Sequence, residues 1–203
     1  MHQIYQTEGI VLKSLDFGEA NKYLLIFTKE FGLIKVTAQG LRNVSSKLRY
    51  GLQEFSVAQL SLVKGRGPWR LTNSFCDENL YFSTFKDTNK VFVLKSVLDL
   101  LVQLLPGQDK NEDLYNTVMT ALFFLKENNL KEGEVRSFES IIVLRILYCL
   151  GYLDKDKEIR EGVLYSTFLG LEEWDISLLL KMREDRKRVI YHINKSLQSS
   201  QLI

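Results

Sequence analysis

The sequence predicts an α+β protein, a five-stranded β-barrel followed by a helical domain, and two observations carry that prediction. Up to Cys76, short runs alternate apolar and polar residues between turn residues, the period of strands with one buried face. Beyond Cys76 the apolar spacing lengthens to that of helices. The charge also changes sign: residues 1–76 hold ten basic side chains against five acidic, and the remaining residues hold 17 against 20.

The predicted strands are Gly9–Ser14, Lys22–Thr28, Leu33–Gln39, Phe55–Lys64 and Trp69–Cys76. Asp16-Phe-Gly18, Glu30-Phe-Gly32 and Gly65-Arg-Gly-Pro68 separate them with turn chemistry, the last a hairpin-sized gap whose glycines permit positive φ. Five short strands in so few residues match a strongly bent barrel of the oligonucleotide-binding (OB) type. An SH3-like barrel has a similar strand count, and periodicity does not separate the two.

Lys90–Leu105 is apolar around most of its circumference, reads as a buried helix, and stops at the breaker pair Pro106-Gly107. Asn111–Asn128 carries Leu114, Val118, Ala121, Leu122 and Leu125 on one stripe. Glu134–Leu150 ends at Gly151, a C-terminal cap. Two shorter helices are expected at Trp174–Arg183 and Asp185–Leu197. The expected domains are therefore 1–78 and 79–203, with no glycine- or serine-rich linker between them.

No apolar run approaches the roughly 20 residues that span a bilayer, and the first eight residues lack the basic head and apolar middle of a signal peptide. Cys76 and Cys149 stand far apart in apolar or aromatic surroundings and read as buried free thiols, which suits a reducing cytoplasm. Without a Cys-x-x-Cys they do not form a zinc motif.

Catalytic constellations are scarce. His2 and His192 are the two histidines, and neither has an orienting partner in the sequence. Gly65-Arg-Gly67 is not continued into a nucleotide fingerprint and reads as a turn. Glu172-Glu173 and Asp154-Lys-Asp156 are acidic pairs in polar connections, where solvation explains them. No enzyme and no cofactor is expected, and a metal-dependent hydrolase has no metal or acid–base motif behind it.

A binding role is better supplied. From Lys35 to Arg70 there are seven basic residues and one acid, Glu54. Lys35, Arg42, Lys47, Arg49, Lys64, Arg66 and Arg70 are the candidate DNA-binding cations, since lysine and arginine neutralise phosphates with little regard for base sequence. Tyr50 and Trp69 lie among them as candidate base-stacking platforms. Trp69 shares its parity with Leu71 and Phe75, which suits a core aromatic equally well; Arg70 then points outward.

Thr7-Glu-Gly-Ile-Val-Leu-Lys13 and Phe17-Gly-Glu-Ala-Asn21 open a series of segments that resembles the bacterial DNA repair protein RecO family. The series continues with Phe27-Thr-Lys-Glu-Phe-Gly-Leu33, Ala38-Gln-Gly-Leu-Arg42, Ser46-Lys-Leu-Arg49, Gln53-Glu-Phe-Ser56 and Val63-Lys-Gly-Arg-Gly67. Phe138-Glu139, Leu144-Arg145, Leu150-Gly-Tyr152 and His192-Ile-Asn-Lys-Ser-Leu197 carry it through the helical half. The resemblance implies an OB-type DNA-binding barrel, a helical domain, and a recombination mediator in DNA repair. Such a protein binds single- and double-stranded DNA and anneals strands. With RecR it loads RecA onto DNA coated by single-stranded DNA-binding protein, working in the bacterial cytoplasm at the nucleoid. Many relatives carry a four-cysteine zinc site after the segment matching Leu150-Gly-Tyr152. Here Leu153–Arg160 has no cysteine, so the zinc is not carried over. Ser200-Gln-Leu202 stands where relatives often show Ser-His-Leu. The competing expectation is a nonenzymatic protein-interaction scaffold whose basic barrel takes an acidic partner.

Overall fold

The computed structural model describes residues 3–153, 167–170 and 173–199. His2, the cysteine-free stretch 154–160 with its acidic pair, Glu172 and the end of the chain from Ser200 lie outside the described residues. The strands are β1 (Ile4–Phe17), β2 (Asn21–Thr28), β3 (Gly32–Ala38), β4 (Ser56–Val63) and β5 (Trp69–Asn79). The helices are α1 (Leu80–Thr84), α2 (Thr88–Leu104), α3 (Glu112–Glu127), α4 (Glu132–Cys149) and α5 (Ile176–Ser199). Two compact units interleave in sequence: one takes its described residues from Met1–Phe85 and Leu98–Glu112, the other from Lys86–Val97 and Asp113–Ile203.

In the first unit the strands close into a barrel of order β1-β2-β3-β5-β4, with β3 and β5 parallel and the other pairs antiparallel. This is an OB-type barrel, so the choice left open by strand count is settled by connectivity. β1 runs well past Gly9–Ser14 because it serves two partners: Ile4–Ile10 pairs with β4, and Gly9–Phe17 pairs with β2. Both ladders meet at Gly9, where a Cβ would stand 2.8 Å from Ile26 Cγ2 and 3.0 Å from the Phe27 carbonyl oxygen. Only glycine lets the strands approach so closely at the barrel's corner.

Val11, Leu24, Ile26, Ile34, Val36, Leu60, Leu62 and Trp69 fill the interior. Trp69 is 3% exposed, packed edge-on against Tyr5 at 5.4 Å and tilted against Phe31 at 4.9 Å, and its indole N–H donates to Gln108 Oε1 at 3.3 Å. It is a core residue with no face free for a base, which corrects its candidacy as a stacking platform. Phe75 does not share Trp69's direction either. The β4–β5 register shifts between Ser61↔Asn73 and Leu62↔Leu71, and this bulge reverses the parity beyond Leu71 so that Phe75 faces solvent.

Residues 105–112 close one end of this unit. The Leu33 amide donates to the Gly107 carbonyl at 3.0 Å, and Lys110 pairs with Glu30 at 3.0 Å and Glu112 at 3.2 Å. Gly32, at φ 63°, faces Asp109 so closely that a Cβ would lie 2.3 Å from its carbonyl oxygen.

Apolar spacing does not announce α1, which is only five residues long. Asn79 Oδ1 caps it by accepting from the amides of Tyr81 (3.0 Å) and Phe82 (3.4 Å). The same side chain's Nδ2 donates to the Glu54 carbonyl and to Ser56 Oγ, tying α1 to the loop before β4.

In the second unit, α3 buries Leu114, Val118, Ala121, Leu122 and Leu125, as the stripe predicted, and Tyr115 besides. α4 is buried on most sides and packs against α5, whose Leu179, Met182, Val189, Ile193 and Leu197 turn inward. α5 is a single helix, not two, because nothing between Arg183 and Asp185 breaks it: the stretch has neither glycine nor proline. Arg145 is 1% exposed; its guanidinium donates to the carbonyls of Phe168 (2.7 Å) and Glu173 (2.9 Å) and lies 4.3 Å from the Trp174 ring centroid. Burial lowers its pKa to about 10. Both cysteines are free but half-buried where full burial was expected, and desolvation raises both thiols above their ordinary value.

Candidate nucleic-acid interface

The seven candidate cations fall into two groups on the first unit. The first lies on the outer face of β2, β3 and β5. Alternation along β3 buries Ile34, Val36 and Ala38 and turns Lys35 and Thr37 outward. Cross-strand pairing sets Tyr23 opposite Thr37, and Thr37 in turn pairs with Arg70. Lys35 Nζ sits 4.1 Å from the Tyr23 ring centroid, and the Tyr23 ring lies 4.2 Å from that of Phe17. At the end of this strip the β4–β5 hairpin folds Lys64, Arg66 and Arg70 around a depression of about 270 Å³ with Thr37, Gln39 and Gly65-Arg-Gly-Pro68. Its lining has three cations and no carboxylate. Lys64 Nζ stands 5.4 Å from the centroid of the Trp69 ring, so that indole braces a cation from within.

The second group lies at the barrel's other mouth, under the loop Gln39–Phe55. Leu41 and Leu52 are buried in the barrel core and Leu48 packs against it, which anchors the loop at three points. Lys22, Arg42 and Arg49 line a depression of about 460 Å³ with Asp16, Gln53 and the two buried leucines. Asp16 is shared by Lys22 (3.6 Å) and Arg42 (3.5 Å), and Arg42 also donates to the Gly18 carbonyl at 3.0 Å. Arg42 thus spends part of its charge bracing the β1–β2 turn. Arg49 makes no ion pair among the described residues. Lys47 is exposed on the same loop but does not line the depression. Tyr50 is 73% exposed and stays a candidate stacking platform.

Three residues of this surface are not evident from the sequence. Tyr23 and Phe17 are the aromatic partners of Lys35 on the outer face, and Lys22 belongs to the mouth. The signal for Tyr23 is its outward parity against Leu24 and Ile26 in β2. That of Phe17 is hidden because clean alternation in β1 stops at Ser14 while the strand continues. Tyr23 and Lys35 lie on strands 2–3 and Arg66 on the β4–β5 loop, the surfaces with which OB-type barrels take up oligonucleotides, with Arg70 beside them at the start of β5. Cations beside exposed rings suit a chain that alternates phosphates with bases.

Among the described residues no cluster of three metal-ligating side chains occurs, and no helix is long and apolar enough to cross a membrane.

Comparison with known proteins agrees with this geometry. Residues 1–75 match the family model described as "Recombination protein O N terminal". The chain is 29% identical over 137 residues to the DNA repair protein RecO of Alkaliphilus metalliredigens, covering 67% of this chain and 55% of that protein. It is 28% identical over 174 residues to that of Thermodesulfovibrio yellowstonii, covering 80% and 66%. For that of Caldicellulosiruptor bescii the identity is 27% over 150 residues, covering 74% and 59%. The chain spans less than two thirds of the length of each of these relatives. The first 75 residues thus resemble the N-terminal region of recombination protein O, and the similarity to RecO proteins extends into the helices.

Proposed function

We propose that this protein is a recombination mediator in DNA repair, which binds single- and double-stranded DNA and promotes strand annealing. With RecR it would load RecA onto DNA coated by single-stranded DNA-binding protein. The observation that carries the DNA-binding part is the Lys35–Arg70–Arg66–Lys64 strip, a run of exposed cations beside Tyr23 whose hairpin end holds no carboxylate. Its chemistry is that of moving strands: cations lower the repulsion between two phosphate backbones, and no bond to phosphorus is made or broken. Residues 1–78 then supply the strand-handling surface and 79–203 the surface that recruits RecR and single-stranded DNA-binding protein, in the cytoplasm at the nucleoid. The names of the relatives support the repair role.

The test is annealing of complementary fluorescent oligonucleotides coated with single-stranded DNA-binding protein. Wild type should accelerate it, and Lys35→Glu/Arg66→Glu/Arg70→Glu and Arg42→Glu/Lys47→Glu/Arg49→Glu should each lose most of that acceleration while keeping a wild-type circular dichroism spectrum. A wild type that never accelerates annealing at any salt concentration, yet binds an acidic partner peptide in competition with DNA, would transfer the barrel to the scaffold role.

A further inference from the structure

The depression at the barrel mouth does not end at its cations. It runs into a second one of about 360 Å³, lined by Ser14, Lys22, Gln53, Glu54, Phe55, Asn79, Tyr81 and Phe82; Lys22 and Gln53 line both. The two halves differ in chemistry. Three cations against one carboxylate face the first, and three aromatic rings face the second. Tyr81 is 40% and Phe82 60% exposed, and the Tyr81 ring is stacked on Phe55 at 5.9 Å and 30°. Rings left this open beside a cluster of cations are not needed by the core.

The backbone fixes where the rings stand. Phe55 is the one non-glycine residue with positive φ (71°) among the described residues, fixed there by its amide's bond to the Val11 carbonyl (2.9 Å) and its carbonyl's bond from the Leu80 amide (3.0 Å). A side chain held at left-handed φ costs about 1–2 kcal/mol and persists only where neighbours impose it. Here the result is a ring placed beneath Tyr81. Asn79, bonded on both sides of its amide, fixes the start of α1 and hence the direction of Tyr81 and Phe82.

We propose that this continuous groove seats a nucleotide of single-stranded DNA, its phosphate held by Lys22, Arg42 and Arg49 and its base laid on Tyr81 and Phe82. The occupant is a single strand because cations line one half of the groove and rings the adjoining half, matching the phosphate and base of a nucleotide, and because a duplex keeps its bases stacked away from such rings. Glu54, beside the rings and accepting from the Ser14 amide at 3.0 Å, works against an acidic peptide in that half. The seat shares no lining residue with the Lys64–Arg70 depression, so the barrel has separate places for two strands. This rests on the DNA-binding reading above and adds the seat's location, its base contacts and its preference for unpaired bases.

The experiment compares a deoxythymidine oligonucleotide with an abasic strand of the same length, using the whole chain. Wild type should bind the base-bearing strand roughly tenfold more tightly, the scale of one stacked base. Tyr81→Ala/Phe82→Ala should lose that preference and leave abasic-strand affinity unchanged. Tyr81→Leu/Phe82→Leu, which keeps the apolar bulk without aromatic faces, should behave the same, separating stacking from any loss of packing. A preference that survives both variants would overturn the seat while the DNA-binding reading stands. A wild type that binds neither strand overturns both. Unchanged DNA binding with lost binding of an aromatic, acidic peptide would give the groove to a protein partner and end the proposal.

Discussion

Replacing Lys35, Arg66 and Arg70 by alanine takes three cations from a strip in which none of them makes an ion pair among the described residues. Their charge is therefore available to phosphates. Each single-strand phosphate that a cation neutralises contributes a slope of about −0.7 to log K against log [salt]. Without these three cations the slope should flatten by about 2. At 0.1 M salt each neutralised phosphate is worth about fivefold relative to 1 M, so affinity falls on the order of 100-fold. Arg42 supplies the internal comparison. Its guanidinium already faces Asp16 at 3.5 Å and the Gly18 carbonyl at 3.0 Å, so part of its charge is spent before any phosphate arrives. Its effect on the slope should be plainly smaller than that of Arg70→Ala. The assay is fluorescence anisotropy with a labelled single strand across a salt series, with thermal melting of each variant to confirm folding. A triple variant with the wild-type slope, or Arg42→Ala matching Arg70→Ala, would falsify the argument from ion-pair occupancy.

Three further outcomes follow from the packing and titration. Gly32→Ala should destabilise the barrel by about 2–4 kcal/mol, since it adds left-handed strain to a Cβ 2.3 Å from the Asp109 carbonyl oxygen, read as a lowered denaturant midpoint; an unchanged midpoint would mean that residues 105–112 shift freely. Asn79→Ala should cost about 1–2 kcal/mol by removing the α1 cap, and Asn79→Asp, which retains the accepting oxygen, should recover part of it in the same denaturation assay. Glu139 is half-buried, and desolvation raises its pKa, so the folded state favours the protonated form. That preference supports stability fully below the ordinary carboxylate range and is lost as pH rises through the raised folded value. Glu139→Gln should therefore melt higher than wild type at neutral pH and not in acid; equal melting at both would remove Glu139 as the source.

What the sequence disclosed was whatever depends on short-range period. Ile34, Val36 and Ala38 alternate cleanly, so β3 was legible to within a residue and Lys35 was correctly turned outward. The helices α2, α3 and α4 were legible as apolar runs of helical length, bounded by Pro106-Gly107 and Gly151. Period says nothing about who pairs with whom. That β1 divides itself between β2 and β4, and that a bulge after Leu71 reverses Phe75, are properties of partners distant in sequence. The site divides along the same line. Basic residues could be counted, but Asp16 neutralising part of Arg42 required the β1–β2 hairpin to be built first. Trp69 was ambiguous because its indole serves the interior while Lys64 rests over its ring.

The closure of the barrel unit by residues 105–112 has a temporal consequence. Leu33, Glu30 and Trp69 find their partners at Gly107, Lys110 and Gln108, so the strand-handling unit lacks its plug until residues 105–112 have been translated. Strands β1 to β5 leave the ribosome first and must wait, incompletely covered, while α2 is synthesised. A nascent chain stalled before Pro106 should accordingly expose its barrel to proteases, and one stalled beyond Glu112 with its plug outside the exit tunnel should protect it. A fragment cut at the last strand should likewise be less stable than one that keeps residues 98–112.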